Sequence, residues 1–172
     1  MKRIFVLLLA VFALNFANAQ KFGYFDLEGV INQMPEYEKA KAQFEKEYRD
    51  VQNQLEALQV EYNKKLQELD ENMQLPEGDP NKWSKAVLQL KQQELADLQQ
   101  RIVNFQQTAQ QTLQQRQLEL MQPVYNKVDS VVDVIAKQKG YIFVVTKDNV
   151  YYINKSKVDD ITPEVKKALG IH

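Results

Sequence analysis

Apolar residues recur mostly at three- or four-residue steps through much of the chain, which predicts two long amphipathic helices. The first row consists of Tyr37, Ala40, Phe44, Tyr48, Val51, Leu55, Leu58, Tyr62, Leu66, Leu69 and Met73. The second row consists of Trp83, Val87, Leu90, Leu95, Leu98, Ile102, Phe105, Ala109, Leu113, Leu120, Val124, Val128, Val131 and Ile135. Residues 75–80 separate the rows, and their prolines and glycine interrupt any helix.

The two helices are expected to pack against each other as an antiparallel hairpin, because the break between them is short. We assign this arm to residues 35–123, with its tip at residues 75–80. Most of the apolar stripe is expected to form the seam, since an unpaired stripe of that length would not stay soluble. The first helix, from about Pro35 to Met73, spans roughly 38 residues, or about 57 Å.

The second helix is predicted to begin at the tip, with Asp79 as its N-cap and Pro80 in its first turn. It is longer than the first helix, and the shared length ends near Leu120. Pro123 follows, and a proline inside a helix removes one backbone hydrogen bond and kinks the helix. We therefore predict a hinge at Pro123, and we expect Gly140 to end the helix.

Residues 20–34 and 124–172 are predicted to form a small β-rich body. Strands are expected, in chain order, at residues 21–26, 141–146 and 150–153. The last two strands would pair as a hairpin around a turn at residues 147–149. A short final helix would follow, with Thr162 as its cap and Gly170 as its end.

The fold class is therefore α+β, a long antiparallel helical hairpin (a coiled-coil-like tentacle) on a small β-rich body. Three strands rich in Phe, Tyr, Ile and Val are poorly covered by so few helices. Exposed strand edges promote aggregation unless they are paired, so we expect the body to oligomerise. The side chains predicted to make that contact are Phe22, Tyr24, Ile142, Val144, Tyr151 and Ile153.

The N-terminus has the pattern of a secretory signal peptide. Lys2 and Arg3 precede an apolar run at residues 4–16, and small residues follow at residues 17–19. At roughly 13 residues the run is short for a bilayer span, so a retained anchor is the less favoured alternative. We predict that residues 1–19 are removed by cleavage near Ala19, which places the mature protein outside the cytoplasm.

Catalysis finds little support, and we predict no enzyme activity, no metal site and no cofactor. The chain has no cysteine and one histidine, His172, which disfavours thiol chemistry and the common zinc sites. No Gly-rich phosphate-binding loop is present. Asp159 and Asp160 could form a metal or acid–base site, but a turn before the last helix is the favoured interpretation. A formal net charge of -1 gives no electrostatic footprint for nucleic acid.

The glutamine-rich stretch at residues 89–117 also has two interpretations. It could be a sticky tract of low complexity, or the solvated face of a helix. Its helical periodicity favours the solvated face.

This order of segments resembles the Skp/OmpH-like family of periplasmic chaperones. The resemblance covers residues 20–172, and the arm matches in length and character rather than residue by residue. The segments that carry it are Phe22-Gly23-Tyr24-Phe25-Asp26, Tyr141-Ile142-Phe143-Val144-Val145, Val150-Tyr151-Tyr152 and Val158-Asp159-Asp160-Ile161-Thr162-Pro163-Glu164-Val165.

The resemblance implies a homotrimer, in which three trimerisation bodies join and three arms surround a cavity. The implied activity is ATP-independent holding of unfolded outer-membrane β-barrel proteins, in the periplasm of a Gram-negative bacterium, which prevents their aggregation. Better-known family members are basic, whereas this tip is acidic. Its charged residues are Glu68, Asp70, Glu71, Glu77 and Asp79 against Lys82 and Lys85. No lipopolysaccharide site is therefore carried over, and a transient contact with membrane or lipopolysaccharide stays open.

Four residues of the arm are candidates for client binding. Val60, Val103 and Leu118 lie off the apolar stripe by helical angle, where they are free to make weak contacts. Trp83 is either a client anchor or a staple that closes the tip against Met73 or Leu75, and the staple is favoured. The alternative to a chaperone is a secreted trimeric coiled-coil stalk or spacer that binds an envelope partner.

Overall fold

The computed structural model describes residues 20–171, so the predicted signal peptide and His172 lie outside the described residues. The elements, in chain order, are β1 (Lys21–Phe25), α1 (Leu27–Ile31), α2 (Pro35–Gln74), α3 (Lys85–Lys139), β2 (Tyr141–Thr146), a 3-10 turn (Lys147–Asn149), β3 (Asp159–Asp160) and α4 (Thr162–Leu169). No helix among these residues is long and apolar enough to cross a membrane.

The described residues divide into two compact units. The hairpin unit is Lys39–Gln122, and the strand-containing unit holds the described residues up to Glu38 and from Pro123 onward. Pro123 lies inside α3, as its first residue in the strand-containing unit. A hinge at Pro123 stays a prediction.

The strand-containing unit has a three-stranded parallel sheet with the order β2-β1-β3. In the register, Tyr24 lies between Val145 of β2 and Asp160 of β3. The predicted hairpin between residues 141–146 and 150–153 is wrong. The reason is that the 3-10 turn after β2 carries the chain away from that strand's free edge, and Val150 N–H donates only to Lys147 O, at 3.4 Å. The third strand forms instead on the other edge of β1.

Helices cover this sheet through a small apolar core. Its fully buried side chains are Val30, Met34, Val124, Val128, Ile161 and Val165. They come from α1, the residue before α2, the last third of α3 and the segment around α4, so residues distant in sequence close the unit. Helix α1 begins at Asp26, whose Oδ1 accepts a hydrogen bond from Gly29 N–H at 2.8 Å.

Thr162 was predicted to cap the last helix, and this is wrong. It is the first residue of α4, and the preceding Ile161 makes no side-chain capping bond. Thr162 Oγ1 instead accepts a hydrogen bond from Asp26 N–H at 3.0 Å, which joins α4 to the end of β1. The predicted end of the helix is confirmed, because Gly170 has a φ of 73°, a left-handed conformation that favours glycine.

The hairpin unit confirms the two long helices, but the second helix begins later than predicted. Helix α3 starts at Lys85, and Ser84 caps it, since its Oγ accepts from Val87 N–H at 3.3 Å. Asp79 accepts from Asn81 N–H at 2.7 Å, a local turn of the kind short carboxylates favour. Asp79 and Pro80 therefore lie in the tip.

The seam between α2 and α3 is narrower than the apolar stripe. Leu58, Leu69, Leu95 and Leu98 are buried in the hairpin unit. Tyr48, Leu66, Met73, Val87 and Leu90, which belong to the same stripe, are exposed. Two packed helices bury only the arcs that face each other, so the edges of a wide stripe stay in contact with solvent.

Candidate functional site

Strand β2 and the segment after it carry several exposed apolar side chains of the strand-containing unit. Ile142 and Phe143 are exposed on β2, and Tyr151 and Tyr152 are exposed in the irregular segment that follows. Since β2 is an edge strand, its outer backbone groups have no partner strand among residues 20–171. An edge of this kind can accept a strand from another chain.

The six predicted oligomerisation residues are only partly brought together. Phe22 and Val144 lie on the paired strands β1 and β2, and the rings of Phe22 and Phe143 are 4.6 Å apart. Tyr24 is buried inside its own chain. Tyr151 is fully exposed and Ile153 is half-buried, both outside the sheet. The exposed members, Ile142 and Tyr151, are thus the ones available to a second copy.

A cleft of about 540 Å³ lies where the parallel strands end. Its polar lining includes Asp26, Lys147 and Asp160. Lys147 Nζ is 3.6 Å from Asp26 Oδ2. The hydrogen bond from Gly29 N–H, with Lys147 as a weaker cause, lowers the pKa of the Asp26 carboxyl. The Asp26 carboxylate therefore stabilises the end of the sheet as a helix cap and as the partner of Lys147.

Asp159 and Asp160 have structural partners, but they form strand β3, so the predicted turn at these residues is wrong. Asp159 accepts a hydrogen bond from the Tyr141 hydroxyl at 2.8 Å, and Asp160 accepts from Thr162 N–H at 2.9 Å. Burial, together with the bond to Asp159, raises the pKa of Tyr141 to about 12. Among residues 20–171, no three His, Cys, Asp or Glu side chains are grouped to hold a metal ion.

Ion pairs join the two helices of the hairpin unit on one side of the seam. Lys65 Nζ lies 3.1 Å from Glu94 Oε2, and Arg116 Nε lies 2.9 Å from Glu47 Oε2. Hydrogen bonds from Arg116 and Lys65 lower the pKa values of Glu47 and Glu94, respectively. Both pairs are partly exposed, so they fix the register of the helices more than they stabilise them.

The structure exposes Val60, Val103 and Leu118 but does not gather them into one site. Val103 and Leu118 are 15 positions apart on α3, or about 22 Å along the helix axis. Val60 is on the other helix, on the surface that faces away from the seam. Any binding through these residues must therefore be distributed along the hairpin, and their role in client binding stays a prediction.

Trp83 is held at the tip by the buried side chain of Asn72. Asn72 Oδ1 accepts a hydrogen bond from the backbone N–H of Trp83 at 2.9 Å, while Asn72 Nδ2 donates to the backbone oxygen of Asn81 at 2.9 Å. Lys82 Nζ donates to Leu75 O at 2.8 Å, and Lys91 Nζ lies 5.7 Å from the centre of the Trp83 ring. Trp83 is half-buried, so the tip is an ordered turn that still presents part of the indole.

The variant Asn72→Ala is expected to loosen the tip. It removes both side-chain bonds and leaves Trp83 N–H without a partner, which costs about 1–3 kcal/mol for a buried donor. Backbone amide exchange at Trp83 should accelerate by about five- to a hundredfold, and indole fluorescence should shift to the red. Asn63→Ala, at an exposed position on the same helix, is the control. Unchanged exchange in Asn72→Ala would refute this role.

Sequence reasoning missed the exposed part of the apolar stripe. Tyr48, Leu66 and Met73 recur along α2 and remain open to solvent. Their spacing was the same as that of the buried positions, so only the width of the stripe could have indicated that some members lie outside the seam. The arm therefore presents more apolar surface than the three off-stripe residues.

Comparisons with known proteins agree with this architecture. The family model "Outer membrane protein (OmpH-like)" matches residues 21–169. "Chaperone protein Skp" of Pectobacterium atrosepticum is 23% identical over 152 residues, which cover 88% of this chain and 86% of that protein. A solved structure described as an OmpH-like outer membrane chaperone, from Caulobacter crescentus, has a TM-score of 0.70 at 13% identity, over 87% of this chain and 83% of that chain. The fold class and the family resemblance are thereby confirmed, and this chain belongs to the OmpH-like outer membrane protein family.

Proposed function

We propose that this protein is a periplasmic holdase chaperone that assembles as a homotrimer and binds unfolded outer-membrane β-barrel proteins. The single observation that carries the proposal is the match of the OmpH-like family model across residues 21–169. The relative from Pectobacterium atrosepticum is named a chaperone, which favours holding of clients over a passive stalk. The protein is proposed to act without ATP and without catalysis.

The strand-containing unit supports assembly into a trimer. Ile142 and Phe143 are exposed on the unpaired edge strand β2, and Tyr151 is exposed in the segment after that strand. Burying these side chains against neighbouring copies would remove apolar area from water at about 25 cal/mol per Å². The assembly would also satisfy the backbone groups of β2, so one contact would stabilise the protein in two ways.

The hairpin unit supports weak, distributed binding. Its exposed apolar side chains lie at intervals along both helices, and its clefts are shallow and partly polar. Many weak contacts give useful avidity, while each contact breaks quickly. A client held this way is kept from other clients, and it leaves when insertion into a membrane offers a more stable state.

An aggregation assay with a denatured outer-membrane β-barrel protein tests the function and the three predicted residues together. The wild-type protein should keep the diluted client soluble. Changing Val60, Val103 and Leu118 to Ser removes exposed apolar surface, and should weaken holding about tenfold. The control is Gln59→Ser with Gln107→Ser and Gln111→Ser, at exposed positions of the same helices. Wild-type protein that leaves the client to aggregate would overturn the chaperone function and favour the stalk.

A further inference from the structure

One row of α3 carries no charge. This glutamine ridge consists of Gln92, Ala96, Gln99, Val103, Gln106, Gln110, Gln114 and Gln117. Successive members are three or four residues apart, so they line up along one face of the helix. Every member is exposed. Six of the eight are glutamines, and the row runs along most of α3 within the hairpin unit.

The charged residues of this stretch lie on the other side of the seam. Arg116 and Glu94 make the ion pairs to α2 on that side. Successive residues of a helix are rotated by about 100° about its axis, so Gln117 lies on the opposite side of the seam from Arg116. The uncharged row is therefore not an average property of the helix, because α3 makes its ion pairs to α2 on one side of the seam and carries the ridge on the other. We call the side with the ridge the neutral side.

The side-chain amides of the ridge make no hydrogen bonds to other described residues. Gln93, Gln100 and Gln115, which lie off the ridge, hydrogen-bond Asp97, Asn104 and Glu119, respectively. Within residues 20–171, no ridge glutamine makes a side-chain hydrogen bond. Each amide offers donors and an acceptor, the same groups that a peptide unit presents.

Aromatic and aliphatic side chains of α2 border the ridge. Leu66 follows Lys65 and Tyr48 follows Glu47, and Lys65 and Glu47 both make ion pairs to α3. The rotation of about 100° per residue therefore places Leu66 and Tyr48 on the neutral side of the seam. Both are exposed. The neutral side thus combines free amide groups on α3 with apolar side chains on α2, and it carries none of the ion pairs that join the two helices.

We propose that this neutral side is a docking strip for an extended, uncharged segment of an unfolded polypeptide. The ridge amides would exchange hydrogen bonds with the peptide groups of that segment, while Tyr48 and Leu66 contact its apolar side chains. Neighbouring ridge residues are about 4.5 to 6 Å apart along the axis, and the two-residue repeat of a strand is about 6.8 Å, so a short extended segment can follow the ridge. The inference rests on the proposed holdase function and assigns the surface that performs it.

Two variants of equal charge test the strip. In the ridge variant, Gln99→Glu, Gln106→Glu and Gln110→Glu place carboxylates next to the docked segment and remove amide donors. In the control variant, Gln93→Glu, Gln100→Glu and Gln111→Glu add the same charge at exposed positions off the ridge. Binding of a fluorescently labelled, urea-denatured β-barrel protein is measured for both, with light scattering to report the oligomeric state.

The ridge variant should bind the client about tenfold more weakly, since each lost amide bond contributes modestly, and the control variant should bind as the wild type does. Equal binding by both variants, with wild-type protein binding normally, would overturn the strip and leave the holdase function intact. A wild-type protein that binds no client would overturn both. A ridge variant with an altered oligomeric state and normal client binding would show that a second copy occupies the ridge instead.

Discussion

Substituting glutamate for both Ile142 and Phe143 is expected to convert the proposed trimer into monomers. The two side chains are 59% and 51% exposed on β2, at an edge without a partner strand among the described residues. If other copies cover this edge, each copy of the variant would bury two carboxylates without partners. Each buried charge costs several kcal/mol, so the trimer should dissociate at least a thousandfold more readily. Light scattering on the mature protein at micromolar concentration measures the result directly.

The hairpin unit offers a matched control for this change. Val60 and Val103 are 60% and 50% exposed, so Val60→Glu with Val103→Glu adds the same charge at the same exposure. This control should remain trimeric and should lose affinity for unfolded clients. The two variants therefore separate assembly from holding. A trimeric Ile142→Glu, Phe143→Glu variant would contradict the assignment of the β2 edge to assembly.

The helices could be predicted because their signals are local. Helix α2 has no internal glycine or proline, and it begins at Pro35 and ends at Gln74, within one residue of the predicted end. The start of α3 was predicted several residues too early. Asp79-Pro80 fits a turn as well as it fits a helix start, and Ser84 is as good a cap by residue type as Asp79. Local signals identify helices well but choose poorly between nearby caps.

Strands β1 and β2 were predicted from local signals, but the third strand and the strand pairing could not be, because pairing is decided by distant residues. Residues 150–153 have strong β propensity and form no strand, whereas Asp159–Asp160, with almost none, pair with β1. Asp159 and Asp160 pair there because β1 has an open edge and because Ile161, directly after them, is buried in the core. Propensity in a strand reflects the surroundings of a residue more than the residue itself.

Some features of the candidate surfaces could likewise be predicted from local sequence, and others could not. The exposure of Val60, Val103 and Leu118 followed from helical angle alone. The role of Asn72 did not, although it lies three residues after Leu69, at a stripe position where a polar side chain needs a partner. The neutral side of the hairpin could not be identified without the ion pairs between the helices, since only these show which side of the seam each residue occupies.

The variant Val165→Asp is expected to unfold the strand-containing unit and to leave most of the hairpin helical. Val165 is fully buried in α4, in the same core as Val30 and Val128. An unpaired buried carboxylate costs several kcal/mol, a large part of the 5–15 kcal/mol that a domain of this kind has available. The hairpin unit has its own buried seam and its own ion pairs, so we expect it to stay folded without this core.

Circular dichroism and light scattering together measure this outcome. Most of the signal at 222 nm should remain in Val165→Asp, while the trimer disappears, because the edge of β2 belongs to the unfolded unit. Val165→Thr keeps the shape of the side chain and should stay folded and trimeric, with a lower Tm. If Val165→Asp instead loses all helicity at once, the two units fold as one cooperative structure, and the seam alone is insufficient to hold the hairpin.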